Sequence, residues 1–400
     1  MNKLTQLRQA VNKAQLDVAY LSDPMTIKYL TGFGSDPIER VLALLVFADH
    51  DPFLFAPALE VEAIKDTGWP YDVYGYLDHE QPYAMIAEQV KKRVAAPSRF
   101  GIEQGFLTVA RLRALQEQFP KASFDYDMTP TIQHMRLIKS PDEIAILEEN
   151  GKWADFAFKV GFDAVKIGAT ENQIAAEIHY ALQKHGVMHM SFDTLIQAGA
   201  HAAEPHGATN DTKIQDNELV LFDLGTNVDG YTSDASRTVA VGTLNDKQKD
   251  IYQVCLEAQL AAQEAAKPGM TAAELDKIAR DIIDQAGYGE YFIHRLGHGM
   301  GMTDHEFPSI MEGNDMLLEP GMCFSIEPGI YIPGFAGVRI EDCIHITKDG
   351  NESFTHTTKE LQYVGRQIAN QKHFTSKSEV LFCRFIIFNL GRLMMNDHPD

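Results

Sequence analysis

The chain carries an internal repeat, and that repeat restricts the fold more than any other feature. The segment starting at Lys166 reads KIGATENQIAAEI and the segment starting at Lys267 reads KPGMTAAELDKI. Aligned on Gly168 and Gly269, both follow K-x-G-x-T-x-x-[QE]-[IL]. Thr170 and Thr271 are good helix N-caps, with Gln173 and Glu274 at the reciprocal capping-box position. Both helices are expected to end at a glycine, Gly186 and Gly287, which suits a left-handed residue just past the last turn. Each half then reaches a histidine, His206 or His305. An apolar strand follows that ends in an acid with glycine two places on, Asp223-Leu-Gly225 or Glu327-Pro-Gly329. A return strand carries a second acid, Asp234 or Glu341. Capping boxes are common, and two of them alone match by chance. Helix, histidine and both acids in one order point to duplication.

The acids follow runs that read as buried strands, Leu219 to Phe222 and Cys323 to Ile326. Carboxylates at the mouth of such strands are costly without a partner. Strand-like runs cover Glu218 to Leu224 and Tyr231 to Val241, with the turn sequence Thr-Asn-Val-Asp-Gly between them. A hairpin centred between Val228 and Asp229 would set Asp223 opposite Asp234, with Cβ atoms roughly 4.5–5.5 Å apart. Glu327 and Glu341 are likewise symmetric about Gly334. Carboxylates that close repel unless a cation lies between them. Two such hairpins would hold two divalent ions about 3.5–4 Å apart, the spacing of hydrolytic two-metal sites. Oxygen ligands favour ions such as Mn²⁺ over thiolate-loving metals, with Co²⁺ or Zn²⁺ as alternatives. The stretch His294-Arg-Leu-Gly-His298-Gly-Met-Gly301 supplies one nitrogen ligand, His298, with His294 ordering the site.

A chain of 400 residues is too long for one ordinary core, so two domains are expected. Apolar residues at 45% and charged residues at 23% are globular values. A net charge of −21 argues against nucleic acid as a partner. Helical spacing at Leu4, Leu7, Val11 and Ala14, strands at Val18–Leu21, Val41–Phe47 and Pro52–Phe55, and a helix over Met85–Val94 make residues 1–126 an α/β domain. Residues 127–141, with prolines at 130 and 141, read as a linker, and a long helix follows from about Asp142 to Val165. Cys255, Cys323, Cys343 and Cys383 form no CxxC pair, which leaves a thiolate zinc site without support and fits a reducing compartment. The first residues lack a signal-peptide apolar region, and Val380–Met395 is too short and polar to span a membrane. A cytoplasmic location and no membrane partner are the expectation. No G-x-S-x-G motif points to a serine nucleophile.

The motifs Asp223-Leu-Gly225, Gly297-His-Gly-Met-Gly301, Ser325-Ile-Glu-Pro-Gly329 and Gly337-Val-Arg-Ile-Glu-Asp342 together resemble the pita-bread metallopeptidases. These comprise Xaa-Pro dipeptidases (prolidases), Xaa-Pro aminopeptidases and methionine aminopeptidases. The resemblance extends to about Tyr363. It implies an α/β N-terminal, creatinase-like domain and an α+β pita-bread catalytic domain, residues 142–365, with residues 366–400 as an extension without a recognised counterpart. The implied metal ligands are Asp223, Asp234, His298, Glu327 and Glu341. His206 and His305 match the family's two substrate-side histidines, and Glu327 would shuttle a proton. Arg339, on the same face of its strand as Glu341, orders that carboxylate or the substrate, with Tyr331 in a similar role. Thr303-Asp304 departs from the aliphatic residue usual before the second histidine.

The first domain and the Asp36-Pro-Ile-Glu-Arg40 region resemble compact bacterial prolidases. A proline-containing dipeptide is therefore the implied substrate, in a homodimer whose N-terminal domains help close the sites. Asp36, with Glu39 and Arg40, would meet the dipeptide's free terminus and Arg295 its carboxylate. An Xaa-Pro aminopeptidase acting on longer peptides would share all five ligands. A non-catalytic binding protein on the same fold is the reading from another class, and the intact ligand set argues against it.

Overall fold

The computed structural model describes residues 3–365; the notable apolar run near the C-terminus lies outside these described residues. Residues up to Asp127 form a six-stranded mixed sheet. Its order is Asp72–Tyr76, Phe53–Pro57, Ala43–Val46, Val18–Leu21, Arg99–Ile102, Ser123–Asp127. The central strands are buried on both faces, as their near-continuous apolar sequence requires. The stretch expected to be a linker instead contains a helix, Thr129–Leu137. Its proline occupies the first turn, where no backbone donor is lost, and Ile132 and Leu137 are buried. The two prolines there therefore mark helix starts, because Pro141 opens the Pro141–Ala164 helix in the same way.

The duplication is visible in three dimensions. Pro141–Ala164 and Glu171–Lys184 pair in the first half, and Asp246–Ala265 and Ala272–Gln285 pair in the second. All four helices start with a complete capping box, on Ser140, Thr170, Asn245 and Thr271. Gly186 and Gly287 follow their helices with φ of 85° and 83°. The loop glycines also make matching bonds: the Gly168 amide donates to the Ile214 carbonyl and the Gly269 amide to the Leu318 carbonyl, both at 2.9 Å.

Each half continues into three antiparallel strands. In the first these are Leu195–Ala198, Glu218–Leu224 and Ala235–Val241; in the second, Gly297–Gly299, Cys323–Ile326 and Asp342–Ile346. The second hairpin has the expected register, since Ile326 pairs with Asp342 and Gly329 with Arg339 on either side of Glu327 and Glu341. The first differs from expectation by two residues. Its turn is centred on Asp229-Gly230, whose φ values are 54° and 77°, and Val228 pairs with Tyr231. Positive φ at both central residues is the two-residue turn whose twist matches antiparallel strands, and Asp-Gly favours it. Asp223 consequently faces Ser236, and Asp234 lies diagonally across on the same face.

The halves meet along their return strands. The Glu341 amide donates to the Ser236 carbonyl at 3.0 Å. Thr238 Oγ1 donates to the Arg339 carbonyl at 3.1 Å. This seam brings the acids of the two hairpins to one place.

If the two repeat caps are equivalent, Thr170→Ala and Thr271→Ala each destabilise the protein by about 1 kcal/mol. Denaturant unfolding of the two single variants measures both losses; clearly unequal losses would show that the caps have diverged.

Candidate metal centre

His298 lies on a strand that only glycine neighbours permit. A Cβ on Gly297 would stand 1.9 Å from the Ser325 carbonyl oxygen, and one on Gly299 2.0 Å from that of Phe307. The strand is thus wedged between two backbones, which fixes the imidazole between them. The His298 ring Nδ1 lies 3.2 Å from the Gly299 carbonyl. With Nδ1–H donating there, Nε2 faces the acids and would offer its lone pair to a cation on losing its own proton, the usual arrangement of a metal-ligating histidine. That Nε2 is 3.2 Å from Glu327 Oε1 and 3.6 Å from Asp234 Oδ2. Ligand atoms of Asp234, His298 and Glu341 all lie within 4.8 Å of one another.

Asp223 and Glu327 complete the group through shared hydroxyls. Ser236 Oγ lies 2.7 Å from Glu341 Oε2 and 3.0 Å from Asp223 Oδ1. It has one proton for two carboxylates, and it accepts from Arg339 Nε at 2.7 Å. Ser325 Oγ donates to Glu327 Oε1 at 2.9 Å and accepts from the His298 amide at 3.0 Å. Arg339 is nearly inaccessible and donates to Asp223 Oδ2 at 2.6 Å and to the Tyr331 hydroxyl at 2.9 Å.

The electrostatics call for a cation. Burial pushes the Asp234 carboxyl well above the ordinary range, and neighbouring Glu341 and Asp223 push it further. Glu341 is raised in the same way, by burial and then by Glu327 and Asp223. Asp223 is raised by burial, with Arg339 opposing. Burial also acts to raise Glu327, but the hydrogen bond and charge of His298 outweigh it and hold this carboxyl down at about 2. Burial alone would lower His298, yet the bond to Glu327 raises it. Glu341 Oε1 is buried with no hydrogen-bond partner. A buried acceptor without a partner, among acids that resist joint ionisation, fits a divalent cation held by oxygen and imidazole ligands.

These residues form one wall of a cavity of about 710 Å³. His206, His294, Arg295, His305 and Arg339 also line it. His206 is exposed, on the lip formed by the Pro205–Thr209 segment. The His305 ring stacks on His298 with centroids 3.7 Å apart. Arg295 donates to His305 Nδ1 at 3.0 Å and to Ser309 Oγ at 2.9 Å. A guanidinium only donates, so this contact makes Nδ1 the acceptor and leaves the His305 proton on Nε2.

Two expected substrate contacts lie elsewhere. Tyr331 is buried between Arg339 and His294, so it orders the arginine and does not line the cavity. Asp36 is exposed, outside the cavity of its own chain, and accepts from the Ile38 amide in a local turn. Arg40 in the same loop is paired with Asp78. Sequence reasoning passed over Phe192, Asp193, Thr194 and Leu195, which also line the cavity, with Leu195 paired to Asp223 across the sheet. It also passed over Ser236 and Ser325. Their signal was present, since each stands two residues from a ligand on the same strand face.

Comparison with known proteins identifies the family. Residues 3–138 match the creatinase/prolidase N-terminal domain, and residues 145–348 match metallopeptidase family M24. The chain is 57% identical over 362 residues to an Xaa-Pro dipeptidase of Lactobacillus helveticus, covering 90% of this chain and 98% of that one. It resembles the solved prolidase from Pyrococcus horikoshii OT3 with a TM-score of 0.83 and 36% identity, over 90% of this chain and all of the other. The Xaa-Pro dipeptidase from Bacillus anthracis gives a TM-score of 0.84 and 35% identity, over 90% and 99% of the two chains.

Two outcomes follow from the buried charges. Asp223, Asp234 and Glu341 hold protons more tightly folded than unfolded. Their contribution is complete below about pH 4 and is lost as pH rises through the raised folded values. His298, also raised, loses its contribution in the same sense above about pH 6.5. Glu327 acts in the opposite sense, but only below about pH 4.5. The chelated protein should therefore show a falling Tm from pH 5 to pH 8, reversed by Mn²⁺; a Tm that rises with pH under chelation contradicts the charge assignment. Separately, Arg339→Met should weaken Mn²⁺ binding by about 10- to 100-fold in titration calorimetry, because the arginine orients Asp223.

Proposed function

The chain belongs to metallopeptidase family M24, and on that premise we propose that it is an Xaa-Pro dipeptidase, a hydrolase of the bond before a C-terminal proline. The observation that carries this is the near full-length match to an Xaa-Pro dipeptidase, supported by a cavity that four acids and His298 line together. Asp223, Asp234, His298, Glu327 and Glu341 would hold two divalent ions, with Mn²⁺ the reading that the oxygen-rich set favours. Ions bound there supply Lewis acidity to water and to the substrate carbonyl.

The protein's own groups do the rest. Glu327 takes the proton from the attacking water and delivers it to the imino nitrogen of the leaving proline. His305 presents Nε2–H to the carbonyl oxygen, where negative charge develops. His206 holds the substrate from the opposite lip. Arg295 uses two of its donors within the protein and keeps others for the proline carboxylate. Asp36 would serve the active site of a second copy in a homodimer, since it lies outside its own cavity. Among the described residues no helix is long and apolar enough to cross a membrane. Cys255, Cys323 and Cys343 are buried free thiols, which fits the reducing cytoplasm.

Leu-Pro and a longer peptide beginning with Leu-Pro, offered to chelated and then Mn²⁺-restored protein, test this assignment. Metal-dependent release of proline from the dipeptide, with the longer peptide left intact, is the expected outcome. Preferential cleavage of the longer peptide would reassign the chain as an Xaa-Pro aminopeptidase.

A further inference from the structure

The turn that carries His305 is built around a carboxylate that the hydrolytic scheme does not use. Glu306 follows the histidine and is almost wholly buried. Its Oε1 accepts the amides of Met302 at 2.8 Å and Thr303 at 3.1 Å. The 302–306 turn therefore closes on its own side chain. Two cations from the segment joining the domains meet the same carboxylate. Arg136 Nη2 donates to Oε1, and Lys139 Nζ stands 3.3 Å from Oε2. Arg136 also donates to Thr303 Oγ1 at 3.1 Å, and that hydroxyl donates to the His305 carbonyl at 3.1 Å. Both cations are themselves largely buried, Lys139 at 3% side-chain exposure. A lone buried charge is costly, and three charges of opposite sign in contact fix one geometry, with Arg136 Nε the one donor of the group buried without a partner among the described residues.

We infer that Glu306 is a positioning residue for hydrolysis, and that with Arg136 and Lys139 it clamps the 302–306 turn so that the His305 ring stays stacked on His298. The inference rests on the reading of His305 as the group that meets the substrate carbonyl. The clamp reaches His305 from the backbone side, whereas Arg295 reaches it through the ring. Together they hold both ends of the residue. The anchor lies on and just after the Thr129–Leu137 helix, so the connection between domains takes part in placing a reacting group. A donor displaced by about 1 Å from a developing charge loses on the order of 100-fold in rate.

The test is a double-mutant cycle on the full-length, Mn²⁺-loaded protein with Leu-Pro as substrate. Glu306→Gln keeps an acceptor for the amides but removes the charge that Arg136 and Lys139 meet. It should lower kcat by roughly 10- to 100-fold with KM changed far less. In a His305→Ala background the same change should lower kcat by no more than about 2-fold, because the clamp then has nothing to position. Mn²⁺ affinity by calorimetry should stay within about 2-fold of the unaltered protein, since Glu306 is not a ligand. Arg136→Gln, which retains the Glu306 and Lys139 pair, provides a milder second variant. It should show a smaller kcat loss with the same dependence on His305, and it decides the matter if Glu306→Gln does not fold. An equal kcat loss in the His305→Ala background overturns the inference, as does a loss of Mn²⁺ affinity in step with kcat, or an unchanged kcat in both variants. Failure of the unaltered protein to release proline from Leu-Pro would count against the dipeptidase assignment and leaves the cycle to be run on the peptide that is cleaved.

Discussion

The protein gathers four carboxylates in a space too dry and too small for all of them to be ionised together. Asp223, Asp234, Glu327 and Glu341 are each buried or nearly so, and three are pushed toward the protonated form. Desolvation and like-charge repulsion both oppose that arrangement. Hydrogen-bond donors satisfy only part of it, since Ser236 divides one proton between two acids and Glu341 Oε1 is left without a partner. Divalent cations remove the conflict, so folding of the catalytic core and metal binding are linked.

Much of the surrounding structure serves that cluster. Arg339 neutralises part of the charge from behind and is itself held by Tyr331, which His294 contacts in turn. The backbone seam between Ser236 and Glu341 sets the distance between the two hairpins. The duplicated helices pack over the apolar faces of their own sheets, in two clusters that include Phe158 and Phe222 in one and Cys255 and Phe324 in the other. The halves thus supply equivalent frames and unequal contents. Asp223 and Asp234 stand on one side, Glu327 and Glu341 on the other, and His298 belongs to the second half alone.

The asymmetry continues at His206 and His305. Both are exposed, but His305 is stacked on His298 and tied to Arg295, whereas His206 lies on the Pro205–Thr209 segment. Equal positions in the duplication have therefore acquired different surroundings. The difference follows from what lies behind each turn. The turn at His305 is backed by the segment joining the two domains, through Arg136 and Lys139.

The amino-acid sequence by itself determined the duplicated frame, the helix caps, the strands and the acids at their ends. These depend on local chemistry: capping residues, short-range periodicity, and acids at the ends of apolar runs. It also set the second hairpin, because Gly334 marks the centre of that turn plainly. The first hairpin was legible in outline but two residues out of register, because Val228-Asp229 and Asp229-Gly230 are both acceptable turn centres in sequence. The φ values that decide between them exist only in the folded chain. Prolines 130 and 141 suggested a break, yet each sits in the first turn of a helix, where proline costs no hydrogen bond and is itself a start signal. Tertiary structure alone decided that Tyr331 faces Arg339, that Asp36 lies outside its own cavity, and that Glu306 meets cations 167 and 170 residues away. Contacts between such distant residues arise from how whole elements pack, and no local pattern in the chain encodes them.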